Sequence, residues 1–459
     1  MKGSKVLKWV ILAGIGLRII LWCFQSSPEG DDGARYLRES MNIVDHGVFS
    51  TSTGETPTPS AHDMPLWPSI MAVAYSGTGS IKATQYIAGV INILLVTGSV
   101  LFLVSMLRHK PFSFDDRQIT VAVSVLLFMP DSVMYSLFHM PDQLAVFAVI
   151  AALWYYFRGV ADDWRYFIGA SVAFLISIYA KPICMPLTFA LLIAAPIVMH
   201  DTWKNKLLVV IIGFCVVVLG LCPWIMRNKA AFGTAGITSI SGTNLYSCNW
   251  GRLVNTLPEA EREAVNAEML QFEKQISNYD LMKQSQLKGD YAKRQIFAHL
   301  SEYFVYTVKK HPRLYAGTGT VAMLRYLGLE RVCDALDAMW GSNNAKGYAP
   351  VYDEPYTLAE KAVGGGLQIL SWLVLICGYA LVVIGIIKGL RNTISEGFKA
   401  RQLLLVLCPI LSLMLLAALI GPITATRYRF IMIPFFAMLA GYSMLGCKDG
   451  RVSAPCLRG

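Results

Sequence analysis

Acidic and basic residues that could act together on one substrate recur at the ends of apolar runs in this sequence. Asp31, Asp32 and Tyr36 follow the first run, and Asp63 comes later in the same polar stretch. Asp131 and Asp142 flank a short turn. Lys181 splits a long apolar segment, Arg227 closes another, and Arg427 and Arg429 precede the last. These types suit transfer of a group from a lipid phosphate to a hydroxyl. A carboxylate can take the proton of the attacking hydroxyl. Lys and Arg can hold a phosphate at that depth and stabilise the charge left on it. Taken singly, each has an ordinary role. Arg427 and Arg429 suit interface anchors. Asp131 and Asp142 suit helix N-termini, and Lys181-Pro182 suits a helix break. The weight lies in the set, so the elements must bring it to one side.

The chain has 459 residues, 55% hydrophobic and only 15% charged. Such a balance points to a polytopic, all-α membrane protein. The net charge of +10 does not indicate nucleic acid, because the Lys and Arg lie mainly between apolar runs, as the positive-inside rule requires. The expected spans are 6–25, 83–107, 118–136, 141–157, two within 166–199 divided at Lys181-Pro182, 207–226, 368–387, 402–420 and 430–446. Both termini then fall in the cytoplasm, with Lys448, Arg451 and Arg458 at the C-terminal end. The first run resembles a signal peptide, but no small-residue cleavage site follows Phe24, so it reads as an anchor. Arg18 within it is either a functional intramembrane charge or a snorkelling one.

Residues 26–82 form the first outer loop. Asp32 and Tyr36 share a helical face, and Leu37, Met41, Val44 and Val48 give that helix an apolar stripe, with Gly47 as its stop. The apolar segment Pro65 to Ser76 is too short to span and reads as a re-entrant or interfacial helix. Residues 228–366 read as a small extracytoplasmic helical domain between an N-terminal module, 1–227, and C-terminal helices, 367–459. Pro258 opens a helix with Val265, Met269, Phe272 and Ile276 along one stripe. A second helix is expected at 288–310, and Gly364-Gly365-Gly366 reads as a hinge back into the membrane. The ten Cys form no metal-binding spacing. Cys248 and Cys333 fall outside the cytoplasm, as a disulfide or as two free thiols.

Several strings carry a family resemblance. Asp32-x-x-Arg35-Tyr36 is followed by His46-Gly47-Val48-Phe49-Ser50, then by Asp63-Met64-Pro65. Pro223-Trp224-x-x-Arg227-Asn228-x-x-x-Phe232-Gly233 precedes Gly242-x-Asn244-Leu245-Tyr246, and Arg427-Tyr428-Arg429 stands before the last span. In this order they resemble the GT-C superfamily of glycosyltransferases, in the branch of lipid A aminoarabinose transferase and protein O-mannosyltransferases. The first string looks like the family's first outer loop with its essential acid. Asp63-Met64-Pro65 sits where aminoarabinose-type enzymes have Glu-Lys-Pro-Pro, with Met64 in place of that Lys. Asp142 resembles the second-loop acid, and Lys181-Pro182 a basic position that meets the lipid phosphate.

The resemblance implies a GT-C-like bundle of about ten spans in a bacterial inner membrane, with the site facing the periplasm. It implies inversion at the anomeric carbon of a polyprenyl-phosphate-linked sugar, with a glycan, lipid or protein acceptor. Asp32 would be the general base. Asp142 and Asp63 would position the acceptor, tune Asp32 or bind a metal. Asp31, Tyr36, Lys181, Arg227, Tyr246, Arg427 and Arg429 would bind substrate. Some family members use a divalent metal, and Asp32 and Asp142 would hold Mg, Mn or Zn here if one is used. Two other classes stay open: a transporter or flippase of a lipid-linked sugar, and a non-catalytic scaffold. Matched broken helices in two halves would mark a transporter, and none is visible.

Overall fold

The computed structural model describes residues 2–26, 30–199, 201–340, 355–395, 400–423 and 426–445. Every regular element among them is helical. In chain order these are α1 (Lys2–Cys23), α2 (Gly30–His46), α3 (Leu66–Thr78), α4 (Ile81–Arg108), α5 (Asp116–Phe128), α6 (Pro130–Tyr135) and α7 (Asp142–Ala161). Then come α8 (Tyr166–Ala180), α9 (Cys184–Val198), α10 (Trp203–Phe232) and α11 (Ile240–Asn244), a π-helical turn at Leu245–Trp250, and α12 (Gly251–Val254). The insertion continues through α13 (Glu259–Ile276), α14 (Leu281–Ala298), α15 (Leu300–Ala316), α16 (Thr320–Tyr326) and α17 (Glu330–Trp340). The chain returns in α18 (Leu358–Ser395), α19 (Ala400–Ile420), α20 (Thr426–Phe430) and α21 (Ile433–Tyr442).

Five described helices are long and apolar enough to cross a membrane: α1, α4, α7, α10 and α18. The helices α8, α9 and α21, and α19 from Leu405, are shorter and apolar. The long apolar segment breaks where expected, with Lys181 extended between α8 and α9. In the loop that follows α1, Leu37 is buried and Met41 half-buried as the expected stripe requires, but Val44 is 38% exposed and Val48 lies past the end of α2. Gly47 ends α2 in the left-handed region at φ +67°, which glycine enters without a Cβ clash. Three further expectations are corrected. The stretch 118–136 is two helices, because Pro130 has no N–H to continue α5 and starts α6 instead. The helix expected at 288–310 is interrupted at His299, between α14 and α15. Gly364-Gly365-Gly366 is no hinge, since α18 runs through all three. The C-terminal residues Lys448, Arg451 and Arg458 lie outside the described residues.

The main core joins α1, α4, α5, α7, α8, α18 and α21, and every residue of α21 is buried. At the α18–α21 crossing, a Cβ on Gly385 would lie 1.9 Å from the Leu439 carbonyl oxygen. Such close backbone approach is how small residues let membrane helices pack. Arg18 is wholly buried. It donates to the Ser136 hydroxyl at 2.8 Å and to the carbonyls of Gly14 and Ser132 at 3.0 and 3.1 Å. It therefore ties α1 to α6 and does not snorkel. The insertion has its own core around Tyr246, Trp250, Leu253 and Tyr291, with Val265, Met269 and Phe272 packed against it. Cys248 and Cys333 are both free thiols.

Candidate active site

Six side chains at the ends of these helices and in the loops beside them form one row of alternating charge. Arg35 lies one turn after Asp32 on α2, so a single helix supplies both signs. Its guanidinium donates to Asp32 at 2.6 Å and to both oxygens of Asp63, at 2.5 and 3.1 Å. Arg427, on α20, donates to the other oxygen of Asp32 and, through Nε at 3.2 Å, to Asp142 at the start of α7. Lys181, in the break between α8 and α9, donates to the same oxygen of Asp142. Its ammonium stands 5.5 Å from the centre of the Tyr428 ring. The row therefore runs Asp63, Arg35, Asp32, Arg427, Asp142, Lys181. Three acids meet three bases from five separate segments. Asp63, Asp142 and Lys181 are buried, whereas the Asp32 and Arg427 side chains are 27% and 20% exposed, so the row meets solvent at its middle pair and is closed at both ends.

The field at this pair is strong. Burial alone would raise the Asp32 carboxyl, but Arg427 and Arg35 more than offset it and hold the group well below the usual carboxylate range. Glu39, one turn beyond Arg35, behaves oppositely. Burial, with Asp63 beside it, pushes its carboxyl up to about 10. With Asp63 as its neighbour and no cation bonded to it, the Glu39 carboxyl is favoured in its protonated form. Burial likewise lowers His62.

The structure gathers Asp32, Asp63, Asp142, Lys181 and Arg427 as the sequence suggests, and buries Tyr36 behind them with Arg35 5.2 Å from its ring centre. Three other expected residues stand apart. Arg429 pairs with Asp131 at 3.0 Å, both 0% exposed, and donates to the carbonyls of Leu314 and Tyr315 at 3.0 and 2.7 Å. It is a pin between α20, α6 and α15. Arg227 donates to the carbonyls of Ser60 and Phe49 at 2.6 and 3.2 Å and lies over the rings of Phe49, Trp224 and Phe232. It shapes the loop that carries Asp63. Tyr246 belongs to the insertion core, its hydroxyl donating to the Met269 carbonyl at 3.3 Å. The side chain of Asp31 lies outside the described residues.

Sequence reasoning passed over Arg35 and Glu39 as site residues. Their signal was present: with Asp32 they occupy positions 32, 35 and 39, one face of α2. A divalent metal does not fit this arrangement. Asp32, Asp63 and Asp142 each face a cation instead of one another. Among the described residues no three His, Cys, Asp or Glu side chains converge as ligands.

A family model described as a domain of unknown function (DUF6311) matches residues 72–273. No curated protein matches the chain in sequence. Among solved structures, the oligosaccharyltransferase AglB of Archaeoglobus fulgidus, in complex with an inhibitory peptide and a dolichol-phosphate, is similar over 96% of this chain and 50% of its own, with 13% identity and a TM-score of 0.50. The apo form of the Archaeoglobus fulgidus oligosaccharyltransferase is similar over 95% and 50%, with 13% identity and a TM-score of 0.49. ArnT from Cupriavidus metallidurans, bound to undecaprenyl phosphate, gives 95%, 77%, 13% and 0.39. This chain spans about half the length of the oligosaccharyltransferase that it matches. The likeness to AglB shows the fold: this is a multi-pass, all-α membrane protein with a GT-C-like bundle.

Proposed function

We propose that the chain is an inverting membrane glycosyltransferase that moves a sugar from a polyprenyl-phosphate carrier to an acceptor hydroxyl on a glycan, lipid or protein. The observation that carries this reading is the row Asp63–Arg35–Asp32–Arg427–Asp142–Lys181, exposed at its middle pair Asp32 and Arg427. The site would face the periplasm of a bacterial inner membrane, with both termini cytoplasmic. The insertion at 228–366 would cover it and help choose the acceptor.

Asp32 in its resting pairs is a poor base, because two arginines stabilise its charged form. A donor phosphate changes that. Arg427, partly exposed and shared between two acids, turns to the phosphate, and Lys181 supports it from behind. Losing one cation while staying half-buried, Asp32 becomes more basic as the donor seats. The acceptor oxygen then attacks the anomeric carbon, and its proton passes to Asp32. The bond from that carbon to the phosphate oxygen breaks, and polyprenyl phosphate leaves with its charge stabilised by Arg427. Asp142 and Asp63 hold Arg427 and Arg35 in place. An apolar cavity of about 280 Å³, lined by Tyr156, Leu187, Leu191, Leu405, Leu411 and Leu415, lies between α7, α9 and α19 and suits part of an isoprenoid chain.

Arg427→Gln tests the exchange. Without the guanidinium, the Asp32 carboxyl of the free protein rises, so the acid limb of kcat/KM moves to higher pH. KM for the polyprenyl-phosphate sugar also increases. An unmoved limb with unchanged KM would remove Arg427 from the mechanism.

A further inference from the structure

The amphipathic helix α15 carries an uncovered apolar stripe. Leu300, Phe304, Val305 and Val308 are exposed along it, and Phe297 at the end of α14 extends the line. Phe297 is 74% and Phe304 67% exposed, whereas large aromatic side chains in an extracytoplasmic domain are ordinarily covered. Exposed Lys309 and Arg313 border the stripe along one edge, with exposed Glu302 on that edge near the helix start. The other side of the helix is occupied: Tyr303 donates to Asn249 at 2.8 Å, and Leu314 is fully buried.

The far end of α15 is tied to a membrane-crossing helix. Trp372 of α18 donates to the Ala316 carbonyl at 3.1 Å, and Tyr379 donates to the Tyr315 carbonyl at 3.0 Å. Both belong to a membrane-crossing helix whose Ile369, Leu370, Leu373 and Ile376 are themselves exposed as a lipid-facing surface. The C-terminus of α15 is thus bonded to that span at two points, and the near end of the stripe, Val308, lies about two helical turns from them. An apolar stripe bordered by basic residues and tied to a span in this way matches an interfacial helix.

We propose that α15 is a lipid-binding helix, its stripe seated among the outer acyl chains of the bilayer and Lys309 and Arg313 on anionic phospholipid headgroups. The same helix supplies the carbonyls that hold Arg429, two residues from Arg427. Lipid seating therefore steadies the segment that carries the central cation.

The test replaces Phe304 with a benzoyl-phenylalanine photocrosslinker in the full-length protein, in nanodiscs with and without phosphatidylglycerol. Adducts are read by mass. The expected result is a phospholipid adduct at 304, enriched in phosphatidylglycerol and absent from the same probe at exposed Glu263. Lys309→Ala and Arg313→Ala each reduce that enrichment about fivefold, as expected of a basic residue near an anionic surface. Adducts to a second copy of the chain, or none with lipid while the protein elutes as wild type, would overturn the proposal. The readout is independent of sugar transfer, so either conclusion can fail alone.

Discussion

Two arginines hold Asp32 in the resting site, and replacing that carboxylate shows what they hold it for. Asp32→Asn keeps the size and part of the hydrogen bonding but cannot take a proton. Transfer should fall at least about 100-fold while the protein elutes as wild type, measured as product formed per purified protein. Glu39 makes a separate prediction about stability. Its folded-state value, pushed up to about 10 by burial and by Asp63, lies above that of an unfolded carboxyl. Its contribution is therefore complete at pH below about 4 and is lost steadily as pH rises toward 10. Glu39→Gln should flatten that decline, so the midpoint of thermal unfolding at pH 9 rises relative to wild type. Asp32 acts the other way: its contribution is present above the ordinary carboxylate range and lost as pH falls below it. At this scale Asp32, Asp142, Lys181 and Arg427 were legible because acids and bases stood at the ends of apolar runs. The partners were not. Nothing in the order of residues pairs Arg429 with Asp131, since that contact depends on how α20 packs against α6.

Helix ends and crossings were legible where local chemistry dictates them. Gly47 and Lys181-Pro182 stop helices through their own backbone preferences. The break at His299 and the straight passage through Gly364-Gly365-Gly366 were not legible, because tertiary packing decides both. The Asp131–Arg429 pin joins three elements with neither partner reached by water. Arg429→Met should lower stability by about 3–5 kcal/mol by leaving a buried acid uncompensated. Adding Asp131→Leu should recover part of that loss, a comparison made by thermal unfolding in one detergent. Gly385 and Gly366 give a matched pair on α18. Gly385→Ala places a methyl against the Leu439 carbonyl and should cost about 1–3 kcal/mol. Gly366→Ala meets nothing within 4 Å and should leave the unfolding midpoint near or slightly above wild type.

Across the whole molecule, the helical bundle brings acids from α2, from the loop after it and from α7 against cations from α2, the α8–α9 break and the segment before α21. A membrane class was legible from composition, because a chain this apolar has no aqueous core large enough to hide its spans. The insertion was legible as helical, but the bonds that tie α15 to α18 were not, since they depend on tertiary packing. The most direct measurement of the central claim is a transfer assay on purified wild type and Asp32→Asn, each given a panel of polyprenyl-phosphate sugars with membrane extract as acceptor. The predicted result is polyprenyl phosphate released in step with a new glycan product by the wild type and not by Asp32→Asn. Transfer by Asp32→Asn at the wild-type rate, or carrier movement across liposomes without sugar cleavage, would contradict it.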